Sequence, residues 1–271
     1  MSILQRIDRA TEALRGHLPQ VPSVAVVLGS GLGGFAETIT DAVRIPYGEL
    51  PDFPVSTVAG HEGAFVVGRV GGRLILAMAG RFHYYEGYTM EEVTLGIRVM
   101  ARLGIRTVVL SNASGGVNPA FRPGDLMLLC DHINLMPNPL IGPNLEDFGT
   151  RFPSMNAAYD PSLRALALEE AQAAGIDLCE GCYVGTTGPS FETPHEYNYF
   201  RVIGGDAVGM STVPETIVAN HSGMRVLAFS VISNVGGLRY REEVTHEEVQ
   251  EVGAVAGARL SALLHRIIAR L

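Results

Sequence analysis

At 271 residues the chain has room for one large domain or two small ones. Hydrophobic residues make up 47% and charged residues 18%, which excludes a disordered chain, and a net charge of −8 without a basic run argues against nucleic acid or an anionic membrane as a partner. All 20 basic residues are Arg, so chemistry that needs a Lys (a Schiff base, a Lys aldolase, a Walker-type phosphate loop) is excluded, and three Cys are too few for a disulfide framework.

From the N-terminus, Ile3, Leu4, Ile7 and Leu14 alternate with Gln5, Arg6, Asp8 and Arg9, which predicts an amphipathic surface helix and not a signal peptide. Val24–Leu28 reads as a buried strand. Two apolar runs, 65–70 and 74–79, flank Gly71-Gly72 and predict a hairpin. A helix follows over 89–103, then strands at 107–110 and 126–129, and a helix at 161–174. Cys179 and Cys182 fall in a further strand. Helices at 194–203 and 212–222, a strand at 226–232 and a helix at 245–270 complete the chain. Thr89/Glu92, Thr193/Glu196, Thr212/Glu215 and Thr245/Glu248 are capping boxes, and Asp160-Pro161 is a fifth helix start. Strands interleaved with helices predict an α/β fold. It is read as a single domain over 1–271, an α/β/α sandwich on a mixed, largely parallel sheet. The longest apolar runs are strand-length, short of the ~20 residues that span a bilayer. The expectation is therefore no membrane segment and a cytoplasmic location.

Chemistry-bearing residues gather just after these strands. Gly29-Ser30-Gly31-Leu32-Gly33-Gly34 matches a dinucleotide fingerprint in form, but the following segment is too short for a crossover helix. An anion nest with Ser30 as an added donor, or a plain tight turn, remain as alternatives. Gly80-Arg81-Phe82-His83-Tyr84-Tyr85-Glu86-Gly87-Tyr88 combines anion donors with aromatic walls, Arg81 offering a planar fork to a phosphate. Ser111–Asn118, rich in small residues, admits a ligand close to the backbone or is a plain strand exit. In Gly188–Pro194, Glu192 beside Phe191 suits a heterocycle, or Glu192 merely faces a helix N-terminus. Ser211 and Thr212 stand at a helix start that attracts anions. Asn234 offers both donor and acceptor, and His246 follows the Thr245 cap. The Cys179/Cys182 spacing within a strand points the two thiols to opposite faces, and the His and Cys residues show no metal-ligand spacing, so no metal is expected.

Taken in order, these motifs closely resemble the trimeric purine nucleoside phosphorylases over nearly the whole chain. The most specific are Gly80-Arg81-Phe82-His83-x-Tyr85-Glu86-Gly87-Tyr88 and Gly188-Pro189-Ser190-Phe191-Glu192-Thr193. The resemblance implies reversible, inverting phosphorolysis of a purine (2′-deoxy)ribonucleoside to free base and (2-deoxy)ribose 1-phosphate. It implies no metal or organic cofactor, with inorganic phosphate as co-substrate. It assigns a phosphate site to Ser30, His61, Arg81, His83, the Ala113 backbone and Ser211. It assigns the ribose to Tyr85 and Met210, the 5′-hydroxyl to His246, the base stack to Phe191, the base N1–H to Glu192, and N7 and O6 to Asn234. The catalytic set it implies is Asn234, Glu192 and His83. Phe152 resembles the aromatic that each family subunit lends to its neighbour, so a homotrimer is expected. Asn234 with His246 implies the 6-oxopurines inosine and guanosine over adenosine and methylthioadenosine. Ser114 stands where many relatives have Ala, adding a phosphate contact or nothing, and the 234–246 segment is shorter than in vertebrate relatives. A methylthioadenosine-type substrate choice, a hydrolytic nucleosidase, a nucleotide-cofactor oxidoreductase and a non-catalytic purine binder are the competing readings.

Overall fold

The computed structural model describes residues 1–30, 32–57, 62–237 and 245–271, with the backbone alone for 246–250. Strand β1 (Val24–Leu28) is buried at all five positions. An unbroken apolar run of this kind belongs to a strand covered on both faces. It lies parallel between β4 (Arg73–Ala79) and β5 (Thr107–Gly116). The predicted hairpin pairs β3 (Ala64–Val70) with β4, and β2 (Thr40–Pro46) adds an antiparallel edge. On the other side, β5 runs parallel to β9 (Arg225–Val235) and touches β8 (Ala207–Gly209) antiparallel at its end. From β8 the sheet continues to β7 (Leu178–Gly185) and β6 (Leu126–Asn134), and β6 returns to β9 antiparallel. Five strands therefore close into a ring, with β5 shared between the ring and an open wing. The sheet is mixed, as expected. The closure is new, since apolar strand runs do not encode their partners.

Helices cover both faces. α1 (Ile3–Gly16), α3 (Leu95–Leu103) and α6 (Val213–His221) bury Ile7, Leu14, Val99, Ile217 and Val218 in one core. On the other face α4 (Pro161–Ala174) and α7 (His246–Arg270) bury Leu163, Ala167, Leu260, Leu263 and Ile267. Glu170 ties these two helices together, accepting from Arg266 at 2.8 Å and Arg270 at 2.6 Å. Residues 251–270 are apolar and long enough to cross a membrane by length and composition alone. Ala256, Leu264 and Ile268 also turn inward onto the sheet, which accounts for that apolarity as core packing.

Three local boundaries differ from the sequence reading. The helix expected over 89–103 is broken at Thr94 into α2 (Met90–Val93) and α3, where the Thr94 hydroxyl donates to the Met90 carbonyl at 2.7 Å. The Ser111–Gly116 motif is strand rather than exit loop, and Asn234 likewise lies within β9. Cross-strand pairing carries both strands past their apolar runs, because β9 partners β5 through Gly116. α5 (Pro194–Val202) starts at its capping box, Thr193 accepting from the Glu196 amide at 3.2 Å.

Candidate active site

β1 ends at Leu28 while its neighbour β5 continues to Gly116, so the sheet splits and a cleft opens at the strand ends. Gly29 turns the chain there at close quarters: a Cβ would stand 2.7 Å from the Ser111 carbonyl oxygen and 3.0 Å from the Asn112 Cα. Only glycine fits that approach. The cleft is lined by the ends of β1, β4, β5 and β9 and by the segments entering α5 and α6. Ser30, Arg81, His83, Tyr85, Ala113, Phe191, Glu192, Met210, Ser211 and Asn234 all reach it. Sequence positions more than 200 residues apart thus meet at one site.

One end is a set of anion donors. Arg81 is only 1% exposed. Its Nη1 donates to Ser211 Oγ at 2.9 Å and Thr212 Oγ1 at 3.1 Å, its Nη2 to the Val27 carbonyl at 3.4 Å, and its Nε lies 3.3 Å from Glu215 Oε1. The guanidinium lines the cleft and is at the same time braced by protein acceptors at the start of α6. Thr212, which precedes that helix, has φ +70°, a left-handed conformation that costs a β-branched residue about 1–3 kcal/mol. The Glu215 carboxylate holds it there, accepting from the Thr212 amide at 2.7 Å. Both halves of the expected Thr212/Glu215 capping box are present.

His83 is also buried. Its Nδ1 lies 3.0 Å from Glu86 Oε1, which accepts the His83 amide as well at 2.7 Å. Burial pushes the Glu86 carboxyl up, but hydrogen bonds from His83 and Thr57 outweigh it and hold the group at about 2. An ionised Glu86 fixes the imidazole with Nδ1–H toward it and Nε2 on the opposite side of the ring. The Tyr85 ring stacks on His83 at 4.7 Å, and its phenol is pushed up to about 12, chiefly by burial. Ala113 and Ser30 complete this end, both half-buried.

The other end carries an amide and a carboxylate. Asn234 Oδ1 accepts from Ser233 Oγ at 2.9 Å, and Nδ2 donates to the Tyr197 hydroxyl at 3.3 Å. Glu192 accepts from Thr186 Oγ1 at 3.2 Å, and burial raises its carboxyl above the ordinary value. Phe191 stands beside it, 46% exposed. Tyr197 was missed by the sequence reading. It lies on α5 against Gly115 and Gly236, where a Cβ would collide with its ring or hydroxyl. Those glycines were visible in the sequence, but nothing there pairs them with a Tyr on a distant helix. Glu215 was legible only as a helix cap.

Two expected residues fall outside the description, and one lies elsewhere. His61 lies outside the described residues, and so does the side chain of His246 at the start of α7. Phe152 is 86% exposed and lines a separate hollow with His132, Leu140 and Met155. The Arg151 guanidinium lies over its ring at 5.8 Å. Ser114 is buried against Ser230, their Oγ atoms 2.5 Å apart. Among the described residues no three His, Cys, Asp or Glu converge as a metal site requires. The three Cys are free thiols, and burial pushes that of Cys182 up to about 12, away from redox chemistry.

A family model described as the phosphorylase superfamily matches residues 23–269. Purine nucleoside phosphorylase 1 of Bacillus subtilis (strain 168) is 50% identical over 266 residues, covering 98% of both chains. The crystal structure of Schistosoma mansoni purine nucleoside phosphorylase with inosine superimposes at a TM-score of 0.94, with 37% identity, covering 99% of this chain and 97% of the other. The same enzyme with adenosine gives 0.94 at 39% identity, covering 99% and 98%. The nucleoside-binding neighbours, the α/β fold and the two-ended cleft agree, and the chain belongs to the phosphorylase superfamily, among the purine nucleoside phosphorylases.

Proposed function

We propose that this chain catalyses the reversible, inverting phosphorolysis of 6-oxopurine (deoxy)ribonucleosides, inosine and guanosine foremost. The observation that carries this reading is a single cleft with Arg81, Ser211 and His83 at one end and Glu192 and Asn234 at the other. The anion donors seat a phosphate, which serves as nucleophile. Its oxygen bonds to the anomeric carbon from the face opposite the base, as the electron pair of the glycosidic bond departs with the purine. Positive charge builds on the sugar, as in glycoside cleavage, and the phosphate dianion faces it. The departing purine gains electron density. The Asn234 amide donates to it at N7 while the Glu192 carboxylate accepts from N1–H, contacts that strengthen in the transition state. Tyr85 and Met210 line the space between and hold the ribose. His61 would add to the phosphate seat and His246 would take the 5′-hydroxyl.

The reaction needs no metal or organic cofactor, since phosphate supplies the nucleophile. A homotrimer fits the exposure of Phe152, which would close a neighbour's cleft. A cytoplasmic role in purine salvage follows from free nucleosides as substrates. One observation favours a wider substrate range: a structural neighbour holds adenosine. The test is hypoxanthine release from inosine with and without phosphate, with adenosine in parallel. Phosphate-dependent release with ribose 1-phosphate as co-product supports the reading. Phosphate-independent release would make the protein a hydrolase, and an equal kcat/KM on adenosine would overturn the 6-oxopurine preference.

A further inference from the structure

A line of buried polar side chains leads to Ser211 and Arg81 at the anion end, and the chemistry above makes no use of its members Ser230, Asn112 and Thr212. Ser114 Oγ and Ser230 Oγ are 2.5 Å apart. Ser230 Oγ donates to Asn112 Oδ1 at 2.5 Å, and Asn112 Nδ2 donates to Thr212 Oγ1 at 2.8 Å. Thr212 Oγ1 lies 3.2 Å from Ser211 Oγ, and Arg81 Nη1 donates to both hydroxyls. Ser230 and Thr212 are wholly buried and Asn112 is 2% exposed, while Ser211, Asn112 and Ser114 line the cleft.

With the Asn112 amide oxygen toward Ser230 and its nitrogen toward Thr212, chemistry fixes the direction of every proton along this line. A guanidinium and an amide nitrogen only donate, and an amide oxygen only accepts. Ser230 therefore spends its proton on Asn112, and Ser114 supplies the proton shared by the two serines. Thr212 Oγ1 accepts from Arg81 and Asn112, which fills both lone pairs, so its own proton goes to Ser211. Ser211 Oγ then accepts from Arg81 and Thr212, and it is left able only to donate, to the cleft or to the neighbouring Tyr183 hydroxyl. A hydroxyl in that state suits an anion oxygen.

We propose that Ser230 is a positioning residue for the anion end of the cleft, acting through Asn112 and Thr212 to fix Ser211 as a donor. This rests on the reading of that end as the phosphate seat. The Ser230 hydroxyl is what distinguishes the oxygen of the Asn112 amide from its nitrogen. Without it the amide can turn and present Oδ1 to Thr212. Thr212 then donates to Asn112, Ser211 donates to Thr212, and the anion loses a donor. No heavy atom outside the amide need move.

The experiment is steady-state kinetics on inosine and phosphate, with calorimetric titration of inorganic phosphate into the same proteins. Ser230→Ala should raise KM and Kd for phosphate about tenfold, the loss of one charge-assisted hydrogen bond, while KM for inosine stays within about twofold. Ser114→Ala should have a clearly smaller effect, because Ser230 keeps its proton for Asn112. Thr212→Val should reproduce the Ser230→Ala loss and Thr212→Ser should restore most of it, so this pair carries the test if Ser230→Ala does not fold. Equal rises in both KM values, unchanged phosphate affinity in Ser230→Ala or Thr212→Val, or a Ser114→Ala effect as large as that of Ser230→Ala would overturn the proposal. A wild-type protein that binds phosphate without cleaving inosine overturns the functional reading alone, since the affinity series still reads the relay. One that binds no phosphate overturns both.

Discussion

Glu192 and Asn234 carry opposite demands on the same ligand. Burial raises the Glu192 carboxyl, so its protonated form persists above the ordinary value of 4.5. The ionised form is the one that accepts a purine N1–H. Activity should therefore fall on the acid side, with the limb of kcat/KM displaced above 4.5 and upward from a solvated glutamate. Glu192→Gln should abolish that limb and lower kcat/KM by about 100-fold. A raised carboxyl pKa means the fold favours the neutral form, so the stability cost of Glu192 grows as pH rises through its titration. The same variant should then melt no lower than wild type at neutral pH, as a thermal scan would reveal. Asn234 is read as the donor to N7 and O6. Asn234→Asp replaces that donor by an acceptor and should shift relative kcat/KM toward adenosine by about tenfold or more. An unchanged inosine-to-adenosine ratio would remove Asn234 from substrate selection. Both side chains were legible as site candidates, Glu192 from a loop entering a helix beside Phe191 and Asn234 from the motif that follows the longest apolar strand. Their orientation was not, since Ser233, Tyr197 and Thr186 fix it from elsewhere in the fold.

At the level of elements, the end of β4 and the start of α6 are joined by the Arg81–Glu215 pair, with side chains 1% and 3% exposed. Such a pair is weak evidence of net stability, but breaking it leaves a buried charge uncompensated. Glu215→Ala should cost about 3–5 kcal/mol in denaturant unfolding and weaken phosphate binding in parallel. A loss under about 1 kcal/mol would mean that Arg81 relaxes onto other acceptors. The capping box Thr212/Glu215 announced this helix from sequence alone. The box did not disclose that Thr212 sits at positive φ or that Glu215 also faces an arginine 134 positions earlier. Capping is local chemistry, whereas the ion pair exists only because β4 and α6 converge on one cleft. The strands behaved in the same way. Their apolar runs marked β1, β4 and β9, but the polar continuations of β5 and β9 became strand only through pairing with each other.

For the whole molecule, the proposed shared site turns on the exposed Phe152. Phe152, Ile141 and Leu135 are exposed at 86%, 80% and 43%. Phe152 and Ile141 line one hollow, and exposed large apolar side chains side by side are a candidate interaction surface. If a neighbouring subunit's Phe152 closes the cleft, Phe152→Ala should raise KM for inosine by about tenfold with little change in KM for phosphate. Sedimentation equilibrium on the wild type should then give three times the chain mass. A monomer with full activity, or a variant with unaltered kinetics, would refute the shared-site arrangement.

The amino-acid sequence by itself determined the α/β class, nearly every helix start and the residue types at each strand end, because periodicity, caps and turn glycines are local properties. It also carried the family, through the order of its motifs. Only the tertiary structure decided the closed ring of strands, the braced state of Arg81 and the partnership of Asn234 with Tyr197. It likewise decided the burial of Ser114 against Ser230. Each of these depends on which distant segments meet, and that is settled by strand pairing and packing, whose partners no stretch of sequence names.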